Sequence, residues 1–248
     1  MNHEIAAVMP ERFFTEPTTG YWQELVHEVA PRFATKPPFR FGYPVRLPDS
    51  RVLVLPLREL PEGDTAVASL IANQASNSVV TALADHMAML ARGLGAELVV
   101  GLPTLGLAFA ALVAERLGHS RYVPLGYSRK FWYDDALSEP VHSITSPEAG
   151  KRLRLDPNLL PLLEGRQIVL VDDAISTGAT AVAATGLLQR IGARIAGMAV
   201  AMKQTNRWEA VVATLPRPIA VRAVYGCPLF RRGDDGWWPV PETQPETP

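Results

Sequence analysis

The sequence has little cysteine and almost no net charge, and each shortage excludes a class of protein. A single cysteine, Cys227, cannot form an internal disulfide, which favours a reducing, cytoplasmic setting. A formal net charge of −1 leaves no basic field for nucleic acid. Residues 98–114 are uncharged, but Pro103 interrupts a run that is already short for a membrane span. Residues 1–14 lack the apolar centre of a signal peptide. We therefore expect a soluble protein with neither a nucleic-acid partner nor a membrane partner.

An alternation of strand and helix patterns fills most of the chain. The 248 residues, 48% of them hydrophobic, suit one large α/β domain. The pattern predicts a central parallel sheet with helices on both faces. The predicted strands are 98–100, 122–125, 168–171 and 195–202, and the predicted helices are 21–30, 67–75, 78–94, 106–117 and 179–191. A hairpin is predicted over 39–47 and 51–57, around the turn residues 48–50.

Residues 168–180, IVLVDDAISTGAT, are the most informative stretch. The apolar run ends at Asp172 and Asp173, at the carboxyl end of a buried strand, where open α/β sheets bind ligands. The loop from Ser176 to Thr180 then offers backbone N–H groups at a helix N-terminus, which is a site for phosphate. Carboxylates can bind the two hydroxyls of a diol, and the neighbouring amides can bind a phosphate. Together they predict a site for ribose 5-phosphate. Helix caps explain one acid or one hydroxyl, but hardly both acids and the whole loop.

This stretch resembles the signature for phosphoribosyl pyrophosphate (PRPP) in the type I phosphoribosyltransferases. The resemblance implies transfer of a 5-phosphoribosyl group from PRPP to a nitrogenous base, with a purine favoured, and release of pyrophosphate. It implies that both acids bind the ribose hydroxyls in their ionised form, with Mg²⁺ carried by PRPP and no dedicated metal site. A homodimer is usual in the family. The implied PRPP-binding residues are Asp172, Asp173, Ala174, Ile175, Ser176, Thr177, Gly178, Ala179 and Thr180.

The family fold adds a hood above the parallel sheet and a mobile loop that closes over the site. By this resemblance, residues 1–66 form part of the hood and residues 67–226 form the core, with the mobile loop at 126–166. Residues 227–248 add to the hood and end in a frayed tail from 241 onward. The aromatic residues 131–133 either cover the closed site or anchor the loop to the body.

Pyrophosphate needs hydrogen-bond donors and positive charge. The turn made by Pro103, Thr104, Leu105 and Gly106 corresponds to the pyrophosphate loop of the family, but it has no basic residue. We therefore expect Arg129 and Lys130 of the mobile loop to act in catalysis by supplying charge, with an ordinary solvated pair as the alternative. We expect the basic residues at 151, 152 and 154 to lie at the surface.

The acceptor base is the least defined part of the site. Ile175 and Lys203 are candidate base contacts, because 6-oxopurine members of the family place a lysine near this position; an exposed lysine at a strand end is the alternative. Ser176 stands where hypoxanthine–guanine enzymes carry an acid, so their proton transfer is not expected here, and no general base is identified.

Two other classes are weighed against the enzyme. A PRPP-binding regulatory protein without catalysis shares the fold, but we expect it to carry a DNA-binding domain and a basic surface, and residues 1–66 show no helix-turn-helix pattern. A dinucleotide-binding enzyme is disfavoured because no G-x-G-x-x-G follows a predicted strand.

Overall fold

A computed structural model describes residues 19–141 and 151–247. Residues 1–14, where a signal peptide was excluded, and residues 142–150 of the predicted mobile loop lie outside the described residues. The strands are β1 Gly42–Arg46, β2 Val52–Glu59, β3 Thr65–Ala68, β4 Leu98–Gly101, β5 Val123–Pro124, β6 Ser138–Pro140, β7 Arg152–Arg154, β8 Gln167–Ile175, β9 Arg194–Gln204, β10 Ala220–Cys227, β11 Leu229–Arg232 and β12 Trp237–Pro239. The helices are α1 Asn77–Gly93, α2 Gly106–Arg116, α3 Leu160–Leu163, α4 Ala179–Arg190 and α5 Arg207–Val212.

A five-stranded parallel sheet in the order β10-β9-β8-β4-β5 forms the centre of the protein. The run from Ile168 to Val171 in β8 is fully buried, which explains why this strand lacks a polar face. Val169 and Val171 pack in the same cluster as α1 and α2. Ile168 and Leu170 pack on the other face, in the same cluster as α4 and α5. The predicted α/β class, with helices on both faces of a parallel sheet, is confirmed.

A second, antiparallel sheet in the order β1-β2-β3-β11-β12 joins residues from both ends of the chain. The predicted hairpin is confirmed: β1 pairs with β2, and the Leu47 amide donates to the Arg51 carbonyl at 2.8 Å across the turn. The helix predicted over residues 67–75 was wrong. Its first two residues are the end of β3, which pairs with β2 and β11, and only Ala72–Gln74 form a short 3₁₀ helix.

Two segments were predicted wrongly from their local sequence, and contacts with distant residues hold each of them in place. Residues 21–30 contain no helix; the Trp22 indole N–H instead donates to the Ser69 carbonyl at 3.0 Å. Residues 241–247 were predicted to be frayed, but they pack on the body of the protein. The Thr243 hydroxyl accepts a hydrogen bond of 2.8 Å from the amide of the first residue of β11, and Pro245 is buried.

The described parts of residues 126–166 contain secondary structure that the sequence pattern did not predict. β6 pairs with β7, and Gly126 exchanges two backbone hydrogen bonds with Arg154, at 3.1 and 2.8 Å. Leu137 and Leu153 are buried in the cluster that contains α4: Leu137 directly precedes β6, and Leu153 is the middle residue of β7, between two arginines. The segment 128–133 projects outward: Phe131 is 97% exposed, whereas the Trp132 indole N–H donates to Asp156 at 3.1 Å.

Candidate functional site

The acid pair lies inside β8 and not beyond its end. The strand was predicted to end at residue 171, but pairing with β9 extends it to Ile175, which stands opposite Lys203. Asp172 is buried and Asp173 is partly buried, at the carboxyl end of the central strand. This is the edge of a parallel sheet at which ligands bind.

Backbone amides from two elements hold the Asp172 carboxylate. The amide of Asp173 donates to Asp172 Oδ1 at 2.9 Å, and the amide of Gly106, the first residue of α2, also donates to this carboxylate. A Cβ on residue 106 would lie 2.6 Å from Asp172 Oδ1 and 2.7 Å from Asp172 Cα, so only glycine permits this approach. The positive end of the α2 dipole therefore lies directly against the acid pair.

Burial disfavours ionisation of both acids. Burial raises the pKa of Asp172 well above its usual value, and the neighbouring Asp173 raises it further. Burial also raises the pKa of Asp173, against the effect of hydrogen bonds from Asp172 and from nearby backbone. The expectation that both acids are ionised is therefore not favoured by the protein alone. A positively charged group bound at the acids would favour the charged forms.

The loop after β8 presents unpaired backbone amides. Gly178 is the N-cap of α4 with φ of +80°, a left-handed conformation that suits glycine. The amide of Ala179 donates to the Thr177 hydroxyl at 3.4 Å. The amides of Thr177, Gly178, Thr180 and Ala181 meet no acceptor within the described part of the chain. The pocket in front of them measures about 150 Å³ and is lined by Asp172 and residues 174–181.

The N-termini of the longer helices differ in how they are capped. At α1, which begins away from the acid pair, the Ser76 hydroxyl accepts from the Val79 amide at 3.2 Å. At α2 and α4, which begin at the acid pair, the N-cap residues Leu105 and Gly178 provide no side-chain cap. Uncapped N-termini retain donors for an anion. The short helices α3 and α5 also lack a side-chain cap, so what distinguishes α2 and α4 is that their uncapped ends lie at the acid pair.

The predicted pyrophosphate turn lies where the sequence placed it, between β4 and α2. Pro103 and Gly106 are buried and Thr104 is exposed. The peptide between Pro103 and Thr104 is cis. Through Gly106 the turn contacts Asp172, so the structure brings the predicted turn and the acid pair together.

The two predicted cations of the segment 128–133 differ in their surroundings. Arg129 forms an ion pair with Asp135 at 3.1 Å, and Asp135 also pairs with Arg154 at 2.7 Å. Lys130 is exposed and makes no ion pair with any residue that the structure describes. The structure therefore leaves Lys130 as the more available charge of the two.

Tyr127 is a site residue that the sequence reasoning missed. Its hydroxyl hydrogen-bonds the Thr180 side chain, and its pKa is raised mainly by burial and also by the charge of Asp172. The Lys151 ammonium lies 5.8 Å from the centre of the Tyr127 ring. Lys151 is exposed, as expected, and directly precedes β7. The sequence did contain a signal for this residue, because Tyr127 lies just past the carboxyl end of a predicted strand, where site residues are expected.

Lys203 differs from the predicted alternative of an exposed lysine. It is only 7% exposed, and its Nζ donates to the Glu246 carbonyl at 2.8 Å. The same Nζ lies 5.4 Å from the centre of the Trp208 ring. Burial lowers the pKa of Lys203, against the opposing effect of Glu209 and Glu246. Ile175, the other candidate base contact, is also buried.

These features define a doubly wound α/β protein with an acidic, amide-lined pocket at the carboxyl edge of its sheet. Residues 67–217 match the model of the phosphoribosyl transferase domain. The chain therefore belongs to the phosphoribosyltransferase family.

Curated relatives include two enzymes named adenine phosphoribosyltransferase. The one from Novosphingobium aromaticivorans is 38% identical over 120 residues, which cover 47% of this chain and 61% of that protein. The one from Thermosynechococcus vestitus is 32% identical over 138 residues, which cover 56% of this chain and 75% of that protein. The chain thus spans about three fifths of the first relative.

Two solved structures of adenine phosphoribosyltransferases are also similar to this chain. The one from Thermoanaerobacter pseudethanolicus has a TM-score of 0.49 and 20% identity, over 60% of this chain and 81% of that chain. The one from Saccharomyces cerevisiae has a TM-score of 0.47 and 17% identity, over 74% of this chain and 93% of that chain.

Proposed function

We propose that the protein transfers a 5-phosphoribosyl group from PRPP to a purine, adenine in particular, and releases pyrophosphate. The observation that carries the proposal is the row of unpaired amides at Thr177, Gly178, Thr180 and Ala181, directly after the acid pair. Adenine is favoured because relatives at 38% and 32% identity are named adenine phosphoribosyltransferases. Ser176 also provides no acid to accept a purine proton.

Each element has a role in the proposed reaction. A ring nitrogen of the base forms a bond to C1 of the ribose, the bond from C1 to the pyrophosphate oxygen breaks, and the base nitrogen releases its proton. Positive charge that develops on the ribose is stabilised by Asp172 and Asp173. The 5-phosphate binds the amides of the α4 N-terminus, and pyrophosphate binds the turn at Thr104 and Leu105, with charge from Lys130 and Arg129.

Magnesium fits this site as a companion of PRPP. No three His, Cys, Asp or Glu side chains cluster to hold a metal anywhere in residues 19–141 or 151–247. Asp172 and Asp173 offer the carboxylate oxygens that magnesium uses together with substrate phosphates. Bound there, the ion would neutralise charge on the leaving pyrophosphate.

The cellular setting and the assembly stay predictions. Cys227 is a buried free thiol, and we propose a cytoplasmic setting and a homodimer. No helix in the described ranges is long and apolar enough to cross a membrane.

A base panel tests the proposal. Purified protein with PRPP and Mg²⁺ is offered adenine, hypoxanthine, guanine, xanthine, uracil and orotate in turn, and nucleotide and pyrophosphate are measured. We expect equal amounts of AMP and pyrophosphate with adenine. Asp173→Asn keeps the shape but removes a charged hydrogen-bond acceptor, so we expect kcat/KM to fall roughly 10- to 100-fold while the protein stays folded.

The results that contradict the proposal are distinct. Wild-type activity in Asp173→Asn would remove the acid pair from the mechanism. No turnover of any base would exclude the enzyme. If calorimetry then showed PRPP bound intact, the regulatory protein would replace it.

A further inference from the structure

The geometry of the sheet fixes the side from which the acceptor base approaches. β4 and β9 flank β8 on opposite sides, and the pyrophosphate turn follows β4. In a displacement at C1, the entering nitrogen and the leaving oxygen are on opposite faces of the sugar. The base therefore enters from the β9 side, where Lys203 stands beside Ile175.

The C-terminal strap, residues 241–247, already covers this side. Its backbone and side chains contact the ends of β9 and β10 and the residues that follow them. The contacts are Lys203 Nζ to the Glu246 carbonyl at 2.8 Å, Asn206 Nδ2 to the Glu242 carbonyl at 2.9 Å, and Gln244 Nε2 to the Gly226 carbonyl at 3.2 Å. Pro245 is buried, and a Cβ on Gly226 would lie only 2.7 Å from Pro245 Cγ. The strap is therefore a fitted part of the acceptor side.

We propose that the C-terminal strap masks Lys203 and so sets the acceptor preference towards a base with an amino group, and against a base with a carbonyl group. The inference rests on the proposed function and concerns the same site. An ammonium group only donates hydrogen bonds. A free Lys203 would bind the carbonyl of a 6-oxopurine and would repel the amino group of adenine, which is also a donor.

The contacts of Lys203 explain how the mask works. The Glu246 carbonyl accepts a hydrogen bond from the ammonium, and Nζ lies 5.4 Å from the centre of the Trp208 ring. With these partners the lysine is only 7% exposed, so little of its donor capacity faces the site. An incoming carbonyl must displace the strap to reach Nζ, whereas adenine needs no such displacement.

A truncated protein tests the mask. Deleting residues 245–248 removes the Glu246 carbonyl and Pro245 but keeps Thr243, whose hydroxyl accepts the amide of Leu229 at 2.8 Å. We expect kcat/KM for hypoxanthine or guanine, divided by that for adenine, to rise roughly tenfold or more, since a hydrogen bond to a charged group becomes available. Lys203→Met in the truncated protein is expected to remove this gain.

Labelling provides a readout that does not depend on activity. Acetylation by an amine-reactive reagent, followed by peptide mass spectrometry, is expected to modify Lys203 in the truncated protein much faster than in the full chain. Gly226→Ala displaces the strap by contact with Pro245 and is the second variant, should the truncation fail to fold.

The outcomes separate this inference from the proposed function. Adenine turnover in both proteins with an unchanged ratio would overturn the mask while the enzyme stands. Equal labelling of Lys203 in both proteins would also overturn it. If the full chain turns over no base, the proposed function itself fails.

Discussion

Gly106→Ala probes the contact between the start of α2 and the acid pair. The added Cβ would lie 2.6 Å from Asp172 Oδ1, 2.7 Å from Asp172 Cα and 2.8 Å from the Val171 carbonyl oxygen. Two of these three atoms belong to the backbone of a central buried strand, which cannot move aside as the end of a flexible side chain does. The first turn of α2 must therefore shift away from β8, and the amide of residue 106 then no longer donates a hydrogen bond to the Asp172 carboxylate.

The magnitude follows from overpacking. Forcing an extra methyl group into a packed interior costs about 1–3 kcal/mol in the free energy of unfolding. The shift also moves the pyrophosphate turn relative to the acids. A displacement of about 1 Å in a positioned site costs roughly 100-fold in rate, so we expect kcat/KM to fall by that order.

The assay compares two glycines that receive the same substitution. Gly186 lies within α4, and a Cβ there meets nothing within 4 Å. Gly186→Ala is expected to stabilise the protein by about 0.5–1 kcal/mol, because alanine is the better helix former. Urea unfolding and kcat/KM for PRPP are measured for both variants. A Gly106→Ala protein with wild-type stability and wild-type kcat/KM would refute the reasoning.

Two further predictions concern charge. Burial raises the pKa of Asp172 above that of an unfolded aspartate, so stability should fall as pH rises from the unfolded value through the folded one. Asp172→Asn should lack this fall and unfold at higher urea than the wild type at pH 8 but not at pH 3. Asp49→Asn is the control, and its effect on stability should have the opposite dependence on pH, because the Arg51 guanidinium lowers the pKa of Asp49 to about 2. Equal pH profiles of stability for both variants would contradict the prediction. Lys130→Ala should lower kcat about tenfold, a loss of about 1.4 kcal/mol of transition-state stabilisation. Arg217→Ala, an exposed residue before the amino end of β10, is its control, and unchanged kcat in Lys130→Ala would assign that lysine to the surface.

Much of the parallel sheet was predictable because its signals are local. The apolar run before Asp172 marks a strand buried on both faces, and Gly118 and Gly192 mark helix ends, each with positive φ in the structure. The loop at residues 176–180, which is proposed to bind phosphate, is likewise a contiguous stretch. Its backbone amides are available because the chain turns directly from β8 into α4. Such features need no knowledge of the rest of the fold.

Most of the errors involve contact with distant residues. β3 pairs with its sequence neighbour β2 and also with β11, which lies near the other end of the chain. The strap was read as frayed because its proline-rich composition says nothing of Lys203 or Gly226. β8 was ended too early because pairing with β9, and not hydrophobicity, continues the strand through two acids to Ile175. Pairing of this kind cannot be read from one segment.

The proposed site would bind a polyanion in a protein whose net charge is −1. The turn at Pro103–Gly106 has no basic residue, and Arg129 is paired with Asp135. Positive potential at the pocket comes instead from the N-termini of α2 and α4, which converge on one strand end. Backbone donors are fixed by the fold and need no rearrangement when a ligand binds. Their strength therefore depends on the position of the helices, and we predict that Gly106 matters more to this site than any single surface lysine.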